Sequence, residues 1–273
     1  MSESMRLDAA LVARGLCGGR DKAKALIAGG FVSVNGKIVT KASLSVSDDD
    51  DLACAVRERF VGRGGEKLLK VIEGMPLDVT DFCCADIGAS TGGFTDCLLQ
   101  HGAQKVYAID VGHDQLAASL REDPRVVCME GIDVRNSDAV GQQIAAHSLD
   151  LCTADVSFIS LTVVWDSLAA LLKPDGVAVC LIKPQFEAGR SALSKRGVVK
   201  NEKDHLRVLQ MLQCFWQERG YGIVYWSPSP ILGGEGNIEY VAVLAKGVTT
   251  SVLSPVELVK TAFANLKKKE GTS

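Results

Sequence analysis

The chain has 273 residues, of which 47% are apolar and 5% aromatic, with a net charge of −3 and nine cysteines. That length supports one large or two modest domains with a sizeable core. No signal peptide opens the chain and no apolar run approaches the roughly twenty residues of a membrane span, so a cytoplasmic protein that does not cross a membrane is expected.

The first predicted elements are two short amphipathic helices. Residues 6–14 put Leu7, Ala10 and Leu11 on one face, and residues 20–28 do the same with Ala23, Leu26 and Ile27. Glycines end both. Phe31–Val34, the turn Asn35-Gly36 and Lys37–Val39 then read as a β-hairpin. Over residues 1–47 seven bases face three acids, a local net charge of +4, before Asp48–Asp51 reverses the sign in what reads as a loop. Helix–helix–hairpin order, with Arg6-Leu-Asp8, Arg20-x-Lys22-Ala-Lys24-x-Leu-Ile27 and Val32-x-Val-Asn-Gly36, resembles the RNA-binding domain first seen in ribosomal protein S-four. The resemblance implies a grip on the shape and phosphates of structured RNA, with Arg6, Arg20, Lys22, Lys24, Asn35 and Lys37 as candidate contacts.

Residues 59–81 read as a linker and bridging helix, in a segment that starts near Arg57 and carries Gly62-Arg63-Gly-Gly65 and Lys67. From residue 82 onward strands and helices alternate. Strands are expected near 83–87, 105–110, 126–129, 149–155, 177–183, 222–227 and 238–245. Helices are expected near 92–101, 115–120, 138–147, 160–172 and 202–219. Short buried strands separated by helices predict an α/β fold with a parallel sheet covered on both faces. A last helix starts at Pro255 and ends in Lys267-Lys-Lys269, where cations suit a helix C-terminus. The domains expected are therefore 1–58, a bridge over 59–81, and 82–273.

The cysteines (17, 54, 83, 84, 97, 128, 152, 180 and 214) contain no C-x-x-C pair and mostly lie in apolar runs. Buried, reduced thiols are expected, with no disulfides and no metal centre. The four histidines are expected near helix ends, with His205 a solvated residue opening an amphipathic helix.

The most specific run is Asp86-Ile-Gly-Ala-Ser-Thr-Gly-Gly-Phe94, a strand entering a glycine-rich turn that opens a helix. Asp110 ends the next strand at about the twenty-residue offset that suits a ribose hydroxyl. Ser90 stands where a dinucleotide turn wants glycine, and Asp86 repels a pyrophosphate. Both features suit S-adenosylmethionine, which carries an ammonium and a sulfonium but no phosphate. Backbone around Gly88, Ser90, Thr91, Gly92, Gly93 and Phe94 is expected near its methionine end. Asp110 is expected at the ribose, Asp133 and Val134 at the adenine, and Val111 and Asp155 among the cofactor-binding residues. Gly88-Ala-Ser90-Thr-Gly92 also matches the G-x-S-x-G elbow of hydrolases, but no histidine is placed to complete a triad.

Ligands of such sheets bind beyond the carboxyl ends of the strands. Asp86, Asp155 and Lys183 close three apolar strands there, and Glu239 joins them if the last strand runs antiparallel. Five runs carry a resemblance to the FtsJ-type S-adenosylmethionine-dependent RNA 2′-O-methyltransferases: Arg63-Gly-Gly-x-Lys67-Leu, Asp86 to Asp96, Asp155-Val-Ser-Phe-Ile-Ser-Leu161, Ile182-Lys-Pro-Gln-Phe-Glu187 and Gly236-Asn-Ile-Glu239. With the RNA-binding segment in front, the whole chain resembles the TlyA, or hemolysin A, family of rRNA methyltransferases. That resemblance implies a Rossmann-like methyltransferase sheet behind a small α+β RNA-binding domain. It also implies a catalytic tetrad falling on Lys67, Asp155, Lys183 and Glu239, with Arg63 in the RNA path and ribosomal RNA or ribosomal subunits as partner. No obligate protein partner is evident. A ribose hydroxyl is a weak nucleophile, so Lys183 is expected to take its proton while Asp155 and Glu239 orient the lysines and the hydroxyl.

Overall fold

The computed structural model describes residues 4–55, 59–250 and 253–270, without the side chains of 267–270. Arg57 and the Lys267–Lys269 side chains of the expectations above lie outside these residues. The chain divides into two units, 1–62 and 63–273.

In the smaller unit, β1 (Met5–Arg6) leads into α1 (Leu7–Ala13) and α2 (Arg20–Ala28). β2 (Val32–Val34), β3 (Lys37–Ile38), β4 (Ser45–Val46) and β5 (Leu52–Cys54) follow. Asn35 and Gly36 both have positive φ, 50° and 75°, which is the conformation a two-residue hairpin turn requires. Leu7, Leu11, Ile27, Val32 and Val46 form the core. Asp8 is fully buried and accepts hydrogen bonds from Arg6 at 3.0 Å and Arg20 at 3.1 Å. The bond from Arg6, reinforced by Arg20, holds its carboxyl down at about 2 despite burial.

In the larger unit, α3 (Gly64–Gly74) precedes a seven-stranded sheet. Its first half comprises β6 (Cys83–Ile87), α4 (Gly93–Gln100), β7 (Lys105–Asp110), α5 (Ala118–Arg121), β8 (Val126–Glu130) and α6 (Ser137–Gly141). Its second half comprises β9 (Leu149–Ala154), α7 (Leu161–Leu171), β10 (Leu172–Ile182), α8 (Pro184–Glu187), α9 (Glu202–Glu218), β11 (Tyr221–Pro228), β12 (Tyr240–Lys246) and α10 (Pro255–Glu270). The strand order is β11-β12-β10-β9-β6-β7-β8. All neighbours are parallel except at β12, which is antiparallel to both β10 and β11.

Alternation along the strands sorts the side chains between two faces. Ala85, Ile87, Cys152, Ala154, Cys180 and Ile182 pack with Trp165, Trp216 and Leu258 of α7, α9 and α10. Their neighbours Cys84, Asp86, Leu151, Thr153 and Leu181 are buried on the opposite face, where α4 meets β6 and β7. The order reverses between β6 and β9, so a crevice opens at their carboxyl ends.

Several local expectations are corrected. The helix expected over 115–120 forms only at 118–121, because the backbone N–H groups of Asp114, Gln115 and Leu116 donate to the Glu130 carboxylate at 3.0, 2.7 and 2.8 Å. The helix expected over 138–147 is confined to 137–141 and gives way to turns. His205 is fully buried, with Nδ1 2.9 Å from the Tyr240 hydroxyl and Nε2 2.9 Å from the Val199 carbonyl. It looked solvated because its charged neighbours Glu202, Lys203 and Asp204 occupy the outer faces of the same turn. Cys17, Cys84, Cys97, Cys152 and Cys180 are buried as expected, but Cys54, Cys83 and Cys128 are only half-buried and Cys214 is exposed.

Candidate active site

The cradle begins where β6 enters α4. Gly88 has a φ of 81°, and a Cβ there would stand 2.8 Å from the Asp155 carbonyl oxygen, so only glycine lets the turn lie against β9. Asp86 is wholly buried beneath the turn. Thr95 donates to its Oδ2 through backbone N–H (2.9 Å) and hydroxyl (2.7 Å), and Thr153 donates to Oδ1 at 3.0 Å. Burial raises its carboxyl to about 6 against these bonds. Asp86 therefore forms the floor of the cradle rather than a solvated end of the strand.

Asp110 accepts the backbone N–H of Ser90 at 2.8 Å and of Gly112 at 2.7 Å. The Ser90 N–H is a donor that a pyrophosphate would need, and here an acid occupies it. Asp110, Val111, Ile132, Asp133, Val134 and Phe158 face a cavity of about 460 Å³. Asp133 itself is paired to Arg135 at 2.5 Å. The mix of apolar walls and one acid at the strand end fits a nucleoside without phosphate.

A second cavity, about 260 Å³, shares Gly88, Ser90, Asp155 and Ser157 with the first. Thr91, Gly93, Phe94, Arg63, Lys67 and Lys183 also line it. Gly92 is set back from it, with a φ of 93° at the start of α4. Two ion pairs organise this space. Lys183 Nζ lies 2.6 Å from Asp155 Oδ1 and donates to Ser157 Oγ at 2.8 Å. Lys67 Nζ donates to Glu239 Oε2 at 2.7 Å, and Glu239 is only 2% exposed. Reversal of β12 is what delivers Glu239, since Ile182 pairs with Tyr240 and the start of β12 meets the end of β10. Lys67, Asp155 and Lys183 thus share one cavity wall, and Glu239 reaches it through Lys67.

The expected RNA contacts in the smaller unit are placed less uniformly. Arg6 and Arg20 hold Asp8, and Lys24 holds Asp21 at 2.9 Å. The Asn35 side chain accepts from Asp51 N–H at 2.9 Å and donates to Asp50 at 2.7 Å, which ties the hairpin to the acidic loop. Lys37 is exposed and Lys22 half-buried.

Three features escaped the sequence analysis. Phe158 is 91% exposed at the cavity, with a φ of 64° and its ring 5.0 Å from that of Phe186. Glu187 accepts from Ser160 Oγ at 2.6 Å and Leu161 N–H at 2.8 Å, tying the loop after β10 to the start of α7. Burial raises its carboxyl above the usual range. Arg190, Lys195, Arg196 and Lys200 are all exposed, without an ion pair among the described residues and with no acid between Glu187 and Glu202. The last signal was legible as a charge run. The first two sit inside the quoted motifs, but nothing in their residue types distinguished them from packing.

Comparison with known proteins agrees with this architecture. The FtsJ-like methyltransferase model matches residues 60–246 and the S4 domain model residues 5–52. The chain is 40% identical over 240 residues to hemolysin A of Brachyspira hyodysenteriae, covering 87% of this chain and 98% of that protein. It is 40% identical over 244 residues to the 16S/23S rRNA (cytidine-2′-O)-methyltransferase TlyA of Mycobacterium tuberculosis, covering 88% and 89%. A solved structure named "Putative hemolysin from Streptococcus thermophilus" superposes with a TM-score of 0.77 at 38% identity, covering 99% of this chain and all of that one.

Proposed function

Because the chain belongs to the FtsJ-like methyltransferase family, carries an S4 domain in front and is 40% identical to a TlyA rRNA (cytidine-2′-O)-methyltransferase, we propose that it methylates the ribose 2′-hydroxyl of a cytidine in ribosomal RNA. The observation that carries this reading is two lysines on one cavity wall, each matched to its own acid.

S-adenosylmethionine is the cofactor in this reading, and supplies an electrophilic methyl group on its sulfonium. Asp110 would hold its ribose hydroxyls, Val111, Asp133 and Val134 would flank its adenine, and Gly88, Ser90 and Asp86 would meet its methionine end. Lys183, steered by Asp155 and Ser157, would take the proton of the ribose hydroxyl. Lys67, held by Glu239, would stabilise negative charge on the ribose oxygen. Positioning the hydroxyl against the methyl group would supply much of the remaining acceleration.

Ribosomal RNA or a ribosomal subunit is the partner, and the cytoplasm is the site of action in keeping with nine free thiols. No helix is long and apolar enough to cross a membrane among the described residues, so nothing here favours a cytolytic reading over an enzymatic one. The test incubates purified protein with S-adenosylmethionine and unmodified ribosomal subunits, then maps ribose methyls by mass spectrometry. A new 2′-O-methylcytidine is expected. Methyl on a base atom, or none on any ribosomal RNA, would overturn the reading.

A further inference from the structure

Glu239 is clamped from three sides. Its Oε2 takes the Lys67 ammonium, its Oε1 accepts a hydrogen bond from Gln185 Nε2 at 3.0 Å, and Gly233 leaves room where any Cβ would collide with Oε1. The third group in this arrangement, Gln185, belongs to neither ion pair. Its own Oε1 is buried and has no hydrogen-bond donor among the described residues. A carbonyl oxygen stranded in this way weakens the fold, and an apolar side chain of equal length would avoid the cost. What the amide supplies at this position is its charge-assisted bond to the buried Glu239 carboxylate.

Position in the chain adds a second argument. Lys183 caps α8, and Gln185 lies in its only turn, so one short rigid segment carries both the amide and the lysine. We propose that Gln185 is a positioning residue for methyl transfer: its amide fixes the Glu239 carboxylate and, through it, the Lys67 ammonium. The proposal rests on the methyltransferase reading above.

The test compares the full chain with Gln185→Met, which keeps length without the amide, and Gln185→Glu, which places a second carboxylate beside Glu239. Gln185→Met should lose about tenfold in kcat while keeping KM for S-adenosylmethionine within about twofold. In Gln185→Glu two adjoining carboxylates must share a proton, so the acid limb of the kcat profile should move up by about one pH unit or more. In a Glu239→Gln background, Gln185→Met should cost nothing further. Unchanged kcat and pH profile in both variants would overturn the proposal. So would a kcat loss in Gln185→Met that persists in the Glu239→Gln background, with an unmoved pH profile in Gln185→Glu, because that marks ordinary packing. Wild-type protein that transfers no methyl would overturn the function reading itself, and this inference with it.

Discussion

Lys67 Nζ donates to Glu239 Oε2 at 2.7 Å across 172 positions of sequence, and neither side chain is more than a tenth exposed. Lys183 and Asp155 form the matching pair at 2.6 Å. Each lysine is thus held by an acid of its own, so the two can be placed for different roles.

Lys183→Ala should lower kcat by about 10²–10⁴, the usual contribution of a positioned acid–base group. Cofactor affinity by calorimetry should stay within a few-fold, because Asp110 and the turn at Gly88 are untouched. Undiminished turnover would remove Lys183 from the mechanism.

Asp86→Asn should stabilise the protein at high pH while weakening the cofactor. The folded carboxyl sits at about 6, above its ordinary 3.8, so the unfolded chain ionises first as pH rises. Wild type then loses stability between about pH 4 and 6, by about 2–3 kcal/mol for a shift of this size. The Tm advantage of the variant should grow over that window and level off above it. A variant equally less stable at pH 4 and pH 8 would contradict this account.

Phe158→Ala should leave Tm unchanged, since the ring is 91% exposed. If the ring stacks on an RNA base, kcat/KM for RNA should fall by an amount equivalent to about 1–3 kcal/mol. A fall in S-adenosylmethionine affinity with RNA kinetics intact would assign the ring to the cofactor instead.

Lys195→Glu with Arg196→Glu should weaken RNA binding and shallow its salt dependence by about one unit of log–log slope per lost phosphate contact. Both residues sit in a tight hairpin, with Ser194 N–H donating to Val198 O at 3.0 Å and Gly197 N–H to Ser194 O at 2.9 Å. Asn237, itself 4% exposed, anchors this hairpin by accepting from Val199 N–H at 3.3 Å, two residues before Glu239. Lys37→Glu with Lys41→Glu probes the S4 domain in the same way. Arg20→Glu is the poorer probe, because it also strips a partner from buried Asp8. An unchanged slope in both double variants would deny these surfaces any phosphate contact.

Much of the architecture was legible because buried strands announce themselves as apolar runs with acids or a lysine at their ends. The seven strands, the turn at Gly88 and the hairpin at Asn35-Gly36 all follow from local pattern. What the pattern missed depends on contacts remote in sequence. Nothing around residues 115–120 signals that Glu130 will draw three backbone N–H groups out of helical register. His205 reads as surface until Tyr240 and Val199 close over it. Arg6 and Arg20 look like free cations until Asp8 is seen buried between them. The conditional placement of Glu239 was resolved only by strand direction, which no composition encodes.

The direction of β12 also divides the site into two parts. The cradle groups of residues 86–134 are contiguous and belong to strands at one end of the sheet, whereas the Lys67–Glu239 pair forms only once a strand beginning at Tyr240 has docked between β10 and β11. A lesion that loosens β12 therefore strikes the Lys67–Glu239 pair while leaving the groups of residues 86–134 on their own strands.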